Sequence, residues 1–136
     1  MDLAPDLVAA RLAAARVAAL QASYAQLENG PGAIRIELYA DPRPAPGEAV
    51  SSAALAVIEL AGDCRIDGYR LILPTPGEGQ IAVADIVTWG RIFGRVGNWF
   101  ADVSVSDQSG NGEIKMDRAD FMVGAFARLI TAEFRG

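Results

Sequence analysis

Six aspartates stand in three close pairs and are the side chains best suited to catalysis in this chain. Two carboxylates set about a cleft perform general acid–base chemistry on glycosidic bonds. Each pair here falls at a predicted turn or strand end, where aspartate is common because its side chain bonds to nearby backbone. With no histidine in the 136 residues, histidine-based triads and dyads are excluded, and we expect no enzymatic activity. The pairs are Asp63 with Asp67, Asp102 with Asp107, and Asp117 with Asp120.

One segment partly matches a calcium-binding loop. The first, third, fifth and sixth positions of the D-x-[DN]-x-[DN]-G pattern are filled by Asp107, Ser109, Asn111 and Gly112. The twelfth position, which needs a bidentate glutamate, is Arg118. A strand-connecting turn rich in serine, asparagine and glycine explains the same residues more simply. Zinc sites need more thiolates or imidazoles than the chain has, so we predict neither a metal site nor a bound cofactor.

The composition is that of one folded domain. Hydrophobic residues make up 51% of the chain and charged residues 21%, which permits one sizeable core. The net charge of −5 and the scattered arginines disfavour binding to nucleic acid. The N-terminus MDLAPD is acidic where a signal peptide is basic, and no window has the roughly 18 uncharged apolar residues of a membrane span. We therefore expect synthesis in the cytoplasm, a free thiol at Cys64, and no binding to membranes.

The first 29 residues predict an N-terminal helical arm. Residues 4–25 contain ten alanines, Pro5 stands near the start, and Asn29, Gly30 and Pro31 end the pattern. Two placements stay open. The helix lies on its own sheet, or it docks on a neighbouring subunit, because small side chains let another backbone come close. We divide the chain into this arm, 1–29, and a β-domain, 30–136.

The second part of the chain predicts β-strands. Residues 33–39 (AIRIELY) alternate between apolar and polar side chains, as a half-buried strand requires. Asp41–Gly47 holds three prolines in seven residues and predicts an ordered, extended loop at a sheet edge. Seven or eight short strands in one domain predict a β-sandwich or jelly-roll-like fold. The strands are expected at 33–39, 53–60, 69–73, 81–93, 99–105, 113–116 and 121–134. Residues 53–60 and 121–134 also fit a helix, but their surroundings and Gly124 favour strands.

Two neighbouring aromatic residues are predicted to have opposite roles. Trp99 shares a strand face with Ala101 and Val103, so we predict that it is buried. Phe100 lies on the other face with Asp102, and we predict that it is an exposed contact residue.

Two stretches resemble a family of small virion-associated proteins of tailed bacteriophages and prophages, often encoded close to the major capsid protein. The first is GPGAIRIELYADPRPAPGEA, residues 30–49, and the second is ADIVTWGRIFGRVGNWFADVSV, residues 84–105. Together they cover 42 of the 136 residues, a little under a third of the chain. The pattern departs from the family at residues 97–100 (GNWF), where a smaller polar turn is expected. The shared motifs are structural, so the resemblance implies a non-enzymatic role in the particle.

Within that role, the leading hypothesis is a capsid decoration (cement) protein. Such a protein sits on the capsid exterior, binds the major capsid protein and bridges its subunits, and many weak symmetric contacts give it avidity. Self-association as a dimer or trimer is expected. The helix and the proline loop supply the predicted contact residues, together with one aromatic: Arg11, Arg16, Pro42, Arg43, Pro44 and Phe100.

Two other functions stay open. A tail, neck or fibre component of the virion is expected in few copies, as rings or trimers. A carbohydrate- or receptor-binding β-sandwich is expected to use Phe100 and nearby exposed aromatics.

Overall fold

The computed structural model describes residues 1–135. Within them one helix, α1 (Pro5–Glu28), precedes eleven strands, so the predicted mainly β class with an N-terminal helix is confirmed. The strands are β1 (Ile34–Tyr39), β2 (Ala56–Leu60), β3 (Arg65–Asp67), β4 (Arg70–Ile72), β5 (Gly77–Gln80), β6 (Asp85–Ile86), β7 (Trp89–Phe93), β8 (Trp99–Asp107), β9 (Ile114–Met116), β10 (Asp120–Phe121) and β11 (Phe126–Arg135).

The predicted count of seven or eight strands is wrong. The expected strands at 81–93 and 121–134 are each interrupted and form two strands apiece. Two further strands were missed. β3 has three exposed residues and β5 contains two glycines, so neither carries the alternation of apolar and polar residues that identifies a strand in sequence.

Hydrogen bonding joins nine strands into one strongly curled mixed sheet. Eight follow the order β2-β1-β7-β8-β9-β11-β4-β3, and β5 pairs with β11 beside this path. Curling brings β5 against β2, where Gly79 passes so close that a Cβ atom would collide with the carbonyl oxygen of Val57. A bridge between Ala56 and Ile81 adds to this contact. β6 and β10 form a separate two-stranded sheet.

The concave side of the curled sheet holds the core. Ile36 of β1 is fully buried between its partners Ile58 on β2 and Ile92 on β7. Ile34 and Leu38 are buried on the same face, so the predicted alternation of β1 is confirmed. Burying each such side chain contributes about 2 kcal/mol relative to leaving it in water.

The connection between β8 and β9 is unusually short for its geometry. These strands are parallel, with Val105 beside Ile114, yet only residues 108–113 join them. Parallel neighbours normally need a crossover of about a dozen residues or more. Here the chain folds back along β8, and the hydroxyl oxygen of Ser106 accepts the Gly112 N–H at 2.8 Å. A Cβ on Gly112 would collide with backbone of β8, so a glycine is needed there.

A β-bulge reverses the predicted placement of two aromatic residues. β7 pairs Ile92 with Ala101 but Phe93 with Trp99, so Phe100 is the extra residue. One added residue moves every side chain beyond it to the other face. Trp99 is therefore 47% exposed instead of buried, and Phe100 is partly buried against the core instead of exposed.

The helix is docked over only part of its length. Leu20 and Leu27 are buried and Tyr24 is half-buried where α1 contacts β3 and β4, so this end lies on its own sheet. Val17, which has the same helical spacing, is 38% exposed. Nearly every residue before Leu20 is exposed. Residues 5–19, here called the projecting half, extend for about 22 Å.

Candidate functional site

The proline loop is held on the convex side of the curled sheet. Residues 41–52 cover the outward side chains of β7 and β8. Arg91 donates from Nη1 to the Glu48 carbonyl oxygen at 2.7 Å, and Trp89 donates from Nε1 to the Ala40 carbonyl oxygen at 3.0 Å. The Trp89 ring stacks on Tyr39, with centroids 4.7 Å apart. The loop is therefore anchored by hydrogen bonds to its own sheet.

A buried ion pair lies beneath this loop. Arg91 donates to both carboxylate oxygens of Asp102, at 2.7 and 3.0 Å, and the two side chains are 9% and 1% exposed. The Asp102 carboxylate also accepts from Trp99 Nε1 at 3.1 Å and from the backbone of Gly47. Burial opposes ionisation of Asp102, but these hydrogen bonds outweigh it and hold the pKa of the carboxyl below its ordinary value.

The three predicted contact residues of the loop lie together on its surface. Arg43 donates from Nη2 to the Asp102 carbonyl oxygen at 2.9 Å, which fixes the side chain across the loop. Pro42 and Pro44 flank it. An open hollow of about 170 Å³ is lined by Pro42, Arg43, Pro44, Ala49, Val50, Ser51 and Ser52. Phe100 lies partly buried elsewhere, and the role of all four residues in binding a partner stays a prediction.

The two predicted contact residues of the helix differ in their surroundings. Arg11 lines a hollow of about 330 Å³ on the projecting half, together with Leu3, Val8 and Leu12. Arg16 lies nearer the domain, with its guanidinium carbon 5.5 Å from the centroid of the Tyr69 ring. Five of the six predicted contact residues thus lie on two separate surfaces, the loop and the helix, and Phe100 lies on neither.

The base of the helix is fixed by an arginine. Arg95 donates to Glu28 Oε2 at 2.8 Å and to the carbonyl oxygens of Gly32 and Gly62 at 2.9 and 2.8 Å. The other Glu28 oxygen accepts the Cys64 N–H at 2.6 Å. Burial raises the pKa of Glu28, but the hydrogen bonds from Arg95 and Cys64 prevail and leave it below its ordinary value. The direction of the projecting half is set by this cluster.

Cys64 is a buried thiol in this cluster. Burial and the neighbouring Glu28 raise its pKa to about 12. Because the thiolate is the reactive form of cysteine, the protonated thiol is a poor nucleophile at neutral pH.

Five of the six aspartates in the predicted pairs accept hydrogen bonds from nearby backbone or side chains, and Asp120 is exposed. Asp107 accepts from the backbone and hydroxyl of Ser109 and from the Gly110 N–H, which lowers its pKa and closes the turn after β8. Lys115 donates to the Gly110 carbonyl oxygen of that turn at 2.7 Å. Asp63 pairs with Arg95. Within residues 1–135, no three histidine, cysteine, aspartate or glutamate side chains are grouped to hold a metal ion.

The structure has one exposed apolar surface that the sequence does not predict. The segments 81–87 and 119–126 run antiparallel through the β6–β10 pair and are hydrogen-bonded at both ends. Five large apolar side chains on them are 39–66% exposed and form what we call the apolar ribbon: Val83, Ile86, Met122, Val123 and Phe126. In sequence they have the same pattern as core residues of a long strand. Gly124, at a φ of +88°, marks the turn between two of them.

No protein-family model, curated protein or solved structure matches this chain. Among the described residues, no helix has the length and apolar character needed to cross a membrane.

Proposed function

We propose that this chain is a structural protein of a tailed-phage particle, acting as a capsid decoration protein. It binds the capsid exterior and bridges neighbouring subunits of the major capsid protein. The proposal begins from the resemblance of residues 30–49 and 84–105 to small virion-associated phage proteins.

The observation that carries the proposal is the projecting half of α1. Leu7, Leu12 and Val17 are 47%, 59% and 38% exposed. Successive helical residues are about 100° apart, so these three side chains point to three different sides. Large apolar side chains exposed on several sides of one helix, here with Arg11 and Arg16 between them, are normally covered by other protein. The projecting half therefore suits a contact between subunits of an assembly.

The proline loop supports the same role as a second contact. Its hydrogen bonds to β7 and β8 and its three prolines fix its shape before any partner arrives. A loop that is already ordered loses little entropy on binding, which favours contacts that are small and repeated many times. Pro42, Arg43 and Pro44 are the proposed capsid-facing residues.

The finer fold is part of this proposal. The curled sheet brings β2 against β5 around one core, much as the two sheets of a sandwich do. We therefore propose a jelly-roll-like β-domain as the unit that sits on the capsid.

The test is the copy number of the chain in particles. Particles of the phage or prophage that encodes it are purified, and quantitative mass spectrometry gives its molar ratio to the major capsid protein. A ratio near one, or a simple fraction such as one-half, is expected. A few copies per particle refutes decoration and favours the neck or tail, and absence from particles refutes a virion role.

A further inference from the structure

Two apolar surfaces of this chain lie open to solvent and have opposite charges at their borders. One is on the projecting half of α1, and the other is the apolar ribbon. Isolated exposed apolar residues are common, but grouped ones mark interaction sites. The properties of each surface indicate what covers it.

The surface on the helix is a stripe bordered by arginines. At about 100° per residue, Val8, Leu12, Ala15 and Ala19 lie within about 60° of one another on one side of α1, and we call them the arm stripe. Arg11 and Arg16 fall on either side of it. Between Leu7 and Leu27 the helix has these two arginines and no carboxylate. The hollow lined by Leu3, Val8, Arg11 and Leu12 opens on this surface.

The apolar ribbon has the complementary charge. Asp85 lies between Val83 and Ile86, and Asp120 is paired with Ile86 across the two-stranded sheet. Both aspartates are exposed. Segments 81–87 and 117–126 carry three carboxylates, from Asp85, Asp117 and Asp120, against one arginine, Arg118. An apolar surface with an acidic border fits an apolar surface with a basic border.

We infer that the arm stripe of one copy binds the apolar ribbon of a second copy. Val8 and Leu12 cover the ribbon, a ribbon side chain enters the hollow on the helix, and Arg11 faces Asp85 and Asp120. The partner is a second copy because both surfaces occur once on the same chain and match each other in charge and apolar character. Contact between two different surfaces is heterologous, so repetition produces a closed ring or an open filament.

This inference goes beyond the proposed capsid role and does not depend on it. A ring or row of copies joined through their helices leaves the proline loop of each copy free for another surface.

The test uses two full-length variants in sedimentation velocity. Leu12→Asp blocks the arm stripe and leaves the ribbon intact, whereas Phe126→Asp blocks the ribbon and leaves the stripe intact. Wild type is expected to form species larger than a dimer. Each variant alone is expected to self-associate about 30-fold more weakly, the effect of losing one central contact residue.

The mixture of the two variants is decisive. The intact stripe of one binds the intact ribbon of the other, and both remaining ends are blocked, so the expected product is a one-to-one dimer that does not grow. Val96→Asp is the matched control, because Val96 is 60% exposed in the turn between β7 and β8, outside both surfaces. It is expected to assemble as wild type does.

Three results overturn the inference. The first is that wild type stays monomeric at every concentration. The second is that Phe126→Asp assembles like wild type, which would mean that helices bind helices. The third is that the mixture of the two variants forms no dimer. Circular dichroism verifies that each variant is folded, and Val123→Asp, in the turn after β10, replaces Phe126→Asp if that variant is not. A monomeric chain found at a simple ratio to the major capsid protein refutes this contact and leaves the decoration role intact.

Discussion

Replacing Asp102 by asparagine tests whether the buried ion pair holds the proline loop on its sheet. The substitution keeps the shape of the side chain and removes its charge. Arg91 then remains 9% exposed with no anionic partner, and the amide group presents a donor where Arg91 and Trp99 also donate. We expect this single change to destabilise the whole domain.

The size of the loss follows from burial. Removing one partner of a buried ion pair costs about 3–5 kcal/mol, because the other charge stays in a poorly solvated site. The asparagine oxygen can still accept one hydrogen bond, so we expect about 3 kcal/mol. With a urea dependence of about 2 kcal/mol per molar, the unfolding midpoint falls by about 1.5 M.

Asp63→Asn is the matched control. Asp63 also pairs with an arginine, Arg95, at 3.0 Å, but its side chain is 80% exposed. Exposed pairs contribute about 0.5 kcal/mol. Urea unfolding of both variants and the wild type is followed by tryptophan fluorescence, and Trp89 and Trp99 lie in the affected region.

The pH dependence gives an independent readout. The pKa of Asp102 is lowered in the folded state, so the stability that it contributes is full above its unfolded pKa of about 3.9 and is lost as pH falls through the folded pKa. The gap between wild type and Asp102→Asn is therefore expected to narrow in acid. If Asp102→Asn and Asp63→Asn lower the free energy of unfolding at neutral pH by amounts within about 1 kcal/mol of each other, this account of the loop is contradicted.

Three further predictions concern the helix base and the core. Cys64, with a pKa of about 12 in the folded state, is expected to resist iodoacetamide at pH 8 until urea unfolds the chain; rapid labelling of the native protein contradicts its burial. Gly79→Ala is expected to lower the free energy of unfolding by about 1–3 kcal/mol in thermal melts, because the added Cβ collides with the Val57 carbonyl oxygen. Gly68→Asn is the control: Gly68 has a φ of +61° and no atom within 4 Å of an added Cβ, so this change is expected to be nearly neutral. Glu28→Gln is expected to lower the free energy of unfolding by about 2 kcal/mol at pH 7, whereas Glu59→Gln, at an exposed position, is expected to lower it very little. Because folding lowers the pKa of Glu28, the difference between the two variants is expected to shrink as pH falls below about 4. A difference in denaturation midpoints that stays constant with pH refutes a role for the charge of Glu28.

The helix and the first strand are predictable from sequence because their signals are local. Nine alanines between Pro5 and Asn29 leave few alternatives to a helix, and residues 33–39 alternate with a period of two. How much of the helix lies on the domain depends instead on where β3 and β4 end, which no local pattern encodes. The sequence therefore does not predict that Leu20 is docked on the domain while Val17 is exposed.

The errors at β8 have a similar cause. A bulge adds one residue and inverts Trp99 and Phe100, although the surrounding alternation is intact. The turn after Asp107 has the residues of an ordinary hairpin or of a calcium loop, but it makes a parallel return. Both features depend on hydrogen bonds to distant strands.

The two candidate surfaces also differ in how well the sequence predicts them. The proline loop is evident from composition, and its residues do lie together around one hollow. The apolar ribbon is not, because Val83, Ile86 and Met122 have the residue types of a core strand. Only the short β6–β10 sheet shows that they lie outside the main curled sheet, with solvent on one side.

The Arg95 cluster has a consequence for the symmetry of any assembly of this chain. A head-to-tail contact applies one rotation and one translation at every step. If that contact is made through α1, both operations are set by the angle at which the helix leaves the domain, and Arg95, Glu28 and Gly32 fix that angle. A shift of a few degrees there is multiplied by every added copy. The number of subunits in a ring, or the pitch of a filament that fails to close, is then encoded at the base of the helix, remote from the contacting side chains.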